Sequence, residues 1–182
     1  AVAAHIMGIN PFDKPDVDPV TAEVASFWRS RAGEIRTLVD RAVALGAAAH
    51  ARDLPLVPCH ADIHLANVLV DAAGGLHVVD WDGVQLAPKE RDLMHVVNSA
   101  AGPDSPQEQA LLAGYGPAAI DATAIAWYRY EWVVQELGDY GERIFYSPGL
   151  GEATRTDALD GLRQLFDPGD VVDAAYASTI WL

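Results

Sequence analysis

Residues 59–82 of the chain read CHADIHLANVLVDAAGGLHVVDWD, and this stretch carries most of the fold prediction. A polar, irregular segment leads into the apolar run NVLVD, the turn AAGG follows, and LHVVDWD forms a second apolar run. Two short β-type runs on either side of a glycine-containing turn predict an antiparallel hairpin. Because a hairpin brings its two open ends together, Asn67 before the first strand and Asp80 at the end of the second are predicted to lie side by side.

The rest of the chain is predicted to be helical, so the predicted fold class is mainly α (α+β), with helices around one hairpin. Apolar residues at the 3.6-residue period predict one long amphipathic helix over residues 21–50, with Thr21 as its N-cap. Further helices are predicted over residues 104–114, 117–138 and 152–166, and from about residue 170.

Composition and charge exclude several classes of function. Of the 182 residues, 51% are hydrophobic and 21% are charged, which is typical of a globular domain with a real core. The formal net charge of −14 argues against a nucleic-acid partner, because binding to phosphate backbones requires a surplus of Lys and Arg. We interpret the acidity as a solubilising surface, and the alternative is a field that attracts a cationic substrate.

The compartment is predicted from cysteine content and from the lack of targeting signals. Cys59 is the only cysteine, so no internal disulfide can form and a reducing cytoplasm is the simplest setting. No apolar run approaches the roughly 20 residues that a membrane span requires. The first ten residues, AVAAHIMGIN, lack the basic and long apolar regions of a signal peptide.

The polar residues of HADIHLAN admit two chemistries. His60, Asp62 and His64 alternate, so in an extended segment they would point the same way and could form a two-His, one-carboxylate site for zinc or iron, as in a metallohydrolase. Phosphoryl transfer instead requires a carboxylate beside the acceptor hydroxyl and oxygen ligands that hold Mg²⁺ on the nucleotide phosphates. Asp62, Asn67 and Asp80 supply those groups from one continuous stretch.

The same stretch resembles a known catalytic signature. The protein-kinase pattern is H-R-D-x-x-x-x-N followed by a D-F-G aspartate. The aminoglycoside phosphotransferase family is more similar still, with H-G-D-x-H-x-x-N-[ILV]-[LV], a D-[WF]-[DE] strand end and a D-L pair opening a helix. This chain has HADIHLANVL, VVDWD and ERDL in that order, and its later segments ELGDYGERIF and LFDPGDVVDAA resemble the spectinomycin phosphotransferase branch.

The resemblance implies a role for each matching residue. Asp62 would be the catalytic base that orients the acceptor hydroxyl, and Asn67 and Asp80 would hold Mg²⁺ on the phosphates of ATP or GTP. His60 and Asp92 would be structural and would fix the catalytic loop. The implied reaction is transfer of a γ-phosphoryl group to a hydroxyl of a small acceptor, such as an aminoglycoside or aminocyclitol, with antibiotic resistance as the biological role. Choline, homoserine and methylthioribose kinases share the motifs, so the resemblance leaves the acceptor open.

The sequence also departs from the family pattern. Ala61 stands where a glycine is usual, and Leu65-Ala66 stands where Pro-Gly is common. The N-terminal lobe of the family carries a phosphate-covering loop and a strand lysine, but this chain has only Lys14 and Lys89, neither on a predicted strand. Residues 1–7, AVAAHIM, resemble the helix just beyond the hinge between the lobes.

We therefore expect residues 1–182 to form a single kinase-like C-terminal lobe, with a catalytic loop and hairpin over 59–83 and a helical substrate subdomain over about 104–175. The sequence leaves open whether such a lobe is active without an N-terminal lobe. The alternative is a non-catalytic lobe that binds a nucleotide or another ligand. Its uncovered face would favour a homodimer.

Two further acidic residues are candidates for binding the acceptor. Asp82 follows the D-W pair and either contacts a cation or caps the turn at Gly83. Glu131 lies on the stripe of Trp127 and Val134, where a carboxylate should not be buried without a partner. It is therefore either a substrate-binding residue or one half of a structural salt bridge.

Overall fold

Seven α-helices and four short strands make up the regular structure of the described residues. A computed structural model describes residues 18–97, 105–147 and 149–179. The predicted helix at residues 1–7 lies outside them. The helices are α1 Pro19–Ser30, α2 Ala32–His50, α3 Glu90–Leu93, α4 Pro106–Tyr115, α5 Ala122–Phe145, α6 Glu152–Gln164 and α7 Val171–Ser178. The strands are β1 Val57–Cys59, β2 Val68–Val70, β3 Leu76–Val78 and β4 Gln85–Ala87, so the mainly helical prediction is confirmed.

The described residues divide into two compact units, the first formed by residues 18–44 with 129–147 and 149–176 and the second by 45–97 and 105–128 with 177–179. The first unit is helical, and its core is apolar. Phe27 and Phe166 meet edge to face with ring centroids 5.7 Å apart, and Trp28 and Phe145 do the same at 6.5 Å. Its fully buried side chains include those of Val24, Leu38, Tyr130, Val133, Leu137, Leu162 and Ala175.

The helix predicted over residues 21–50 with Thr21 as N-cap is wrong in two respects. Asp18 caps α1, because its carboxylate accepts hydrogen bonds from the Val20 and Thr21 amides at 3.1 and 3.2 Å. Pro19 follows at the first helical position, which its fixed φ suits. The chain also leaves helical geometry at Arg31, whose φ is −108° and ψ is 8°, so two helices replace one.

The second unit contains two separate antiparallel strand pairs. Strands β2 and β3 form the predicted hairpin, with Val68 opposite Val78 and Val70 opposite Leu76. Strands β1 and β4 form a pair that the sequence analysis did not predict, with Val57 opposite Ala87 and Cys59 opposite Gln85. Residues 59–83 therefore begin on β1, which pairs with β4, and continue through the β2–β3 hairpin.

A buried carboxylate joins the start of α3 to the start of α5. Glu90 is 1% exposed, and its Oε1 accepts hydrogen bonds from Lys89 Nζ at 2.8 Å and from the Asp121 amide at 3.0 Å. Asp121 in turn accepts a hydrogen bond from the Ala124 amide at 2.9 Å and pairs with Arg52 at 2.9 Å. These contacts fix α3, the short helix that carries Asp92. Within the described residues, no helix is both long enough and apolar enough to cross a membrane.

Candidate active site

His60 joins the loop after β1 to the end of β3. The ring is 1% exposed, and its Nε2 lies 2.8 Å from the Val79 carbonyl oxygen, so Nε2 carries the proton and donates it. Nδ1 then accepts a hydrogen bond from the Asp62 amide at 3.3 Å. Trp81 packs edge to face on the ring at 4.7 Å between centroids. Both ring nitrogens are therefore engaged by the backbone, which leaves neither for a metal.

Asp92 holds the same loop from α3. Its Oδ2 accepts a hydrogen bond from the His60 amide at 2.9 Å, and its Oδ1 accepts one from the Ala61 amide at 2.7 Å. Ala61 has a φ of 70°, a left-handed conformation that costs an alanine about 1 kcal/mol or more. The pair of charge-assisted hydrogen bonds offsets this cost and fixes the backbone directly before Asp62.

Asp62 and Asn67 are joined by the Asn67 amide group. Asn67 Nδ2 donates to the Asp62 carbonyl oxygen at 2.9 Å and lies 3.3 Å from Asp62 Oδ2. Asn67 is 8% exposed, whereas 53% of the Asp62 side chain is exposed. These contacts assign the amide orientation, since only the nitrogen can donate. Asn67 Oδ1 is thereby the atom left to bind another group, and the Asp62 carboxylate faces solvent where an acceptor could approach.

Asn67 and Asp80 lie at the same end of the β2–β3 hairpin. The Val79 amide donates to the Asn67 carbonyl oxygen at 3.0 Å, one residue beyond the Val68–Val78 pair. Asp80 follows with a φ of 64°, and its side chain is exposed. The structure thus has the neighbouring ends that the hairpin pattern predicted, although the metal-binding role of the two residues stays a prediction.

The remaining predicted site residues lie outside this set of contacts. Asp82 is exposed in the 3₁₀ turn Trp81–Gly83 that follows Asp80. Glu131 is half-buried on α5 and belongs to the first unit, whereas the loop and hairpin belong to the second. The acceptor-binding roles of both residues stay predictions.

The metal cage of His60, Asp62 and His64 receives no support from the geometry. The nitrogens of His60 are engaged as described above. In the described parts of the chain, no three His, Cys, Asp or Glu side chains gather closely enough to hold a metal ion. A site formed by Asn67 and Asp80 would not be a cage of protein ligands. An asparagine and a single carboxylate suit a cation whose other ligands are water molecules and nucleotide phosphates.

Cys59, at the end of β1, is a packing residue. Burial raises the pKa of its thiol to about 11, and the negative charge of Asp92 contributes in the same direction. The Sγ lies 3.5 Å from the carbonyl oxygens of Ala87 and Pro88. A thiol that stays protonated near neutral pH is a poor nucleophile, so Cys59 is not a candidate for covalent catalysis.

Sequence reasoning missed two features of the site. His64 was considered as a metal ligand beside His60 and Asp62, but its Nε2 lies 3.6 Å from Asp62 Oδ2. Its sequence signals were its position two residues after Asp62 and its match to the second histidine of the H-G-D-x-H motif. The second feature is the left-handed backbone at Ala61, which the family's usual glycine at this position could have revealed.

A loop fixed by a buried histidine and a helix aspartate, followed by a hairpin with Asn and Asp at one end, resembles the catalytic segment of kinase-like folds. Comparison with known proteins agrees. The sequence profile of the phosphotransferase enzyme family matches residues 13–133, and the chain belongs to that family. No curated protein matches the chain significantly.

Two solved structures of spectinomycin phosphotransferase, APH(9)-Ia, are similar to the chain. One, in complex with ADP and spectinomycin, has a TM-score of 0.79 and 32% identity and covers 98% of this chain and 54% of its own. The other, an AMP-bound complex, has a TM-score of 0.78 and 31% identity and covers 97% of this chain and 55% of its own. The resemblance to this branch is therefore confirmed, and the chain spans about half the length of these proteins.

Proposed function

We propose that this chain is the catalytic-loop part of a small-molecule kinase that transfers the γ-phosphoryl group of ATP to an acceptor hydroxyl. The observation that carries the proposal is the joined loop, in which Asn67 Nδ2 contacts Asp62 Oδ2 at 3.3 Å and the Asn67 backbone pairs with the residue before Asp80. Phosphoryl transfer depends mainly on positioning, and this arrangement supports a role for Asp62 as base with Asn67 and Asp80 as oxygen ligands.

Asp62 would accept the proton of the acceptor hydroxyl. The hydroxyl oxygen forms a bond to the γ-phosphorus, the bond from that phosphorus to the β–γ bridging oxygen breaks, and ADP leaves with the bond's electron pair. No redox partner is required. The exposure of the Asp62 carboxylate and its fixed backbone fit this role, because a general base must lie within hydrogen-bond reach of the proton it removes.

The residues fit Mg²⁺ as the cofactor. Asn67 offers Oδ1, because its Nδ2 is engaged by Asp62, and Asp80 offers an exposed carboxylate at the same hairpin end. Mg²⁺ prefers oxygen ligands and takes one or two protein groups together with nucleotide phosphates and water. When bound, it would neutralise the phosphate charge. ATP is the proposed donor, since the similar structures contain ADP and AMP; GTP is the alternative donor.

The proposed acceptor is an aminocyclitol or aminoglycoside of the spectinomycin type. Its support is the 32% identity, over 98% of this chain, to a protein whose structure contains spectinomycin. Asp82, next to Asp80 in the second unit, is the proposed acidic contact for its amines, in a chain whose net charge is −14. The acceptor-binding role of Glu131 stays a prediction from the sequence. An antibiotic acceptor would make antibiotic resistance the biological role.

The alternative function is a non-catalytic lobe that binds nucleotide. A homodimer and a cytoplasmic location stay predictions. The homodimer would cover exposed apolar side chains of the second unit, such as Leu69, Leu76 and Leu86. The cytoplasmic location is supported by the free, buried Cys59, which fits a reducing compartment.

The test is transfer of radiolabelled γ-phosphate from ATP to spectinomycin, measured for the wild-type chain and for Asp62→Asn. We expect measurable transfer that Asp62→Asn reduces by about 100-fold or more, in the range of general-base losses. Asp157→Asn, an exposed carboxylate on α6, is the matched control and should retain wild-type activity. Equal transfer by Asp62→Asn and wild type would remove Asp62 as the base. Nucleotide binding without any transfer would favour the alternative function.

A further inference from the structure

His64 lies beside the proposed base and has a second contact with its own loop. Its Nε2 is 3.6 Å from Asp62 Oδ2 and 3.4 Å from Asn67 Nδ2. Its Nδ1 accepts a hydrogen bond from the Ala66 amide at 3.3 Å and thereby caps the 3₁₀ turn Leu65–Asn67. The ring therefore has one nitrogen on the backbone and the other against the carboxylate.

The cap determines where the ring proton lies. The Ala66 amide is a donor, so Nδ1 must be unprotonated to accept from it, and the neutral ring then carries its hydrogen on Nε2. Asn67 Nδ2 is also a donor and cannot accept that hydrogen. Of the two groups near Nε2, only the Asp62 carboxylate can accept it.

We propose that His64 is a positioning residue for Asp62, which deepens the proposed function and rests on it. The Nε2–H of His64 and the Nδ2–H of Asn67 both face Oδ2 of Asp62, which leaves Oδ1 as the atom that receives the acceptor's proton. Once the His64 contact shortens to a hydrogen bond, two donors on one carboxylate oxygen would fix the rotation of an otherwise exposed side chain. A base held in one orientation loses less of the reaction rate to misplacement.

The distance of 3.6 Å between His64 Nε2 and Asp62 Oδ2 is longer than a hydrogen bond. Catalytic hydrogen bonds are often long before substrate binds and shorten in the reactive complex. Both side chains are partly exposed, His64 at 41% and Asp62 at 53%, so a small rotation of either one closes the contact.

Two variants separate the cap from the contact with Asp62. His64→Asn places an oxygen near the position of Nδ1, so it keeps the cap on the Ala66 amide, but its short side chain loses the contact with Asp62. His64→Gln places an amide nitrogen near the position of Nε2, so it keeps a donor on Asp62 and weakens the cap. If His64 only caps the loop, His64→Gln should lower activity more than His64→Asn. If His64 positions Asp62, His64→Asn should lower activity more.

The kinetic measurement is transfer from Mg·ATP to spectinomycin by the 182-residue chain and both variants. We expect His64→Asn to lower kcat by about 10- to 100-fold with little change in KM, and His64→Gln to recover most of that loss. Equal kcat values for wild type and His64→Asn overturn the inference, as does a greater loss in His64→Gln.

A spectroscopic measurement keeps the inference separate from the proposed function. Nitrogen-15 spectra of the imidazole rings should show His64 as the Nε2–H form, and Asp62→Asn should shift its Nε2 resonance while the His50 resonances stay in place. If the chain transfers no phosphoryl group, the proposed function fails, but the spectrum still tests the contact between His64 Nε2 and Asp62. A His64 ring protonated on Nδ1, or an Nε2 resonance that Asp62→Asn does not move, overturns the inference.

Discussion

At the scale of single residues, two non-glycine residues of the catalytic segment adopt left-handed backbone conformations. Ala61 has a φ of 70° directly before the proposed base, and Asp80 has a φ of 64° directly after β3. Hydrogen bonds hold the backbone at both positions. Asp92 accepts a hydrogen bond from the Ala61 amide, and the Val79 amide, directly before Asp80, donates to the Asn67 carbonyl oxygen. Strain of this kind persists only where surrounding contacts determine the backbone, and it is concentrated at functional sites.

The strain at Ala61 makes Ala61→Gly a mild change in stability. Glycine relieves about 1–2 kcal/mol of left-handed strain, which offsets the loss of a buried methyl group and the greater freedom of the unfolded chain. Ala124→Gly is the matched control, since Ala124 is buried in helix α5 of the same unit and gains no such relief. Chemical denaturation should show Ala61→Gly to be less destabilising than Ala124→Gly by about 1–2 kcal/mol. Equal losses would contradict the strain.

The sequence predicts some residues of the site better than others. The proximity of Asn67 and Asp80 follows from hairpin geometry, which the turn AAGG and the two apolar runs indicate. The two hydrogen bonds from Asp92 could not follow from spacing, because Asp92 is separated from His60 by 32 positions and depends on how α3 packs. Only the resemblance to a known family pointed to it. The contact of His64 depends on side-chain rotation, which no sequence pattern specifies.

At the scale of elements, local sequence signals predicted the hairpin and several helices. They did not predict strand pairs or helix ends that depend on tertiary contacts. Strand β1 pairs with β4, and each strand has only three residues, so neither shows a period of its own. Helix α5 was predicted to end at Gly138 but continues to Phe145, because Ile144 and Phe145 are buried in the first unit. Burial there outweighs the poor helix propensity of glycine.

The Asp18 cap of α1 makes the stability of the first unit depend on pH in the acidic range. Partial burial acts to raise the pKa of Asp18, but hydrogen bonds from Thr21 and Arg155 outweigh it and lower the pKa from 3.8 to about 2. A lowered pKa means that the stabilisation is present above about pH 4 and is lost as the pH falls toward 2. The unfolding free energy of wild type should therefore fall more steeply over this interval than that of Asp18→Asn. Parallel curves would contradict the role of the ion pair with Arg155.

The packing of α5 on α6 depends on the absence of a side chain at Gly161. A Cβ there would lie 2.6 Å from Tyr140 Oη and 2.7 Å from its Cζ. Gly161→Ala should therefore destabilise the chain by about 1–3 kcal/mol, which is typical of overpacking. Gly33→Ala, on α2 in the same unit, meets nothing within 4 Å and should be neutral or slightly stabilising. Thermal unfolding of the two variants tests this, and an unchanged Tm for Gly161→Ala would contradict the close approach.

At the scale of the whole molecule, the chain contains the proposed catalytic loop and hairpin and spans about half the length of the similar solved structures. The loop, the hairpin, Asn67 and Asp80 all lie within the second compact unit. We therefore propose that this unit provides a metal–nucleotide site from its own residues. The mainly helical fold class followed from periodicity, whereas the division into two units did not, because helices α2 and α5 each contribute to both.

A calorimetric titration of the 182-residue chain with ATP and Mg²⁺, beside Asp80→Ala, tests this claim most directly. We expect saturable, magnesium-dependent binding that Asp80→Ala loses, while Asp62→Asn and the control Asp157→Ala bind like wild type. The Asp62 variant should retain binding because its carboxylate is assigned to the acceptor. Wild-type binding that persists in Asp80→Ala, or the absence of binding by the wild-type chain, would contradict the claim.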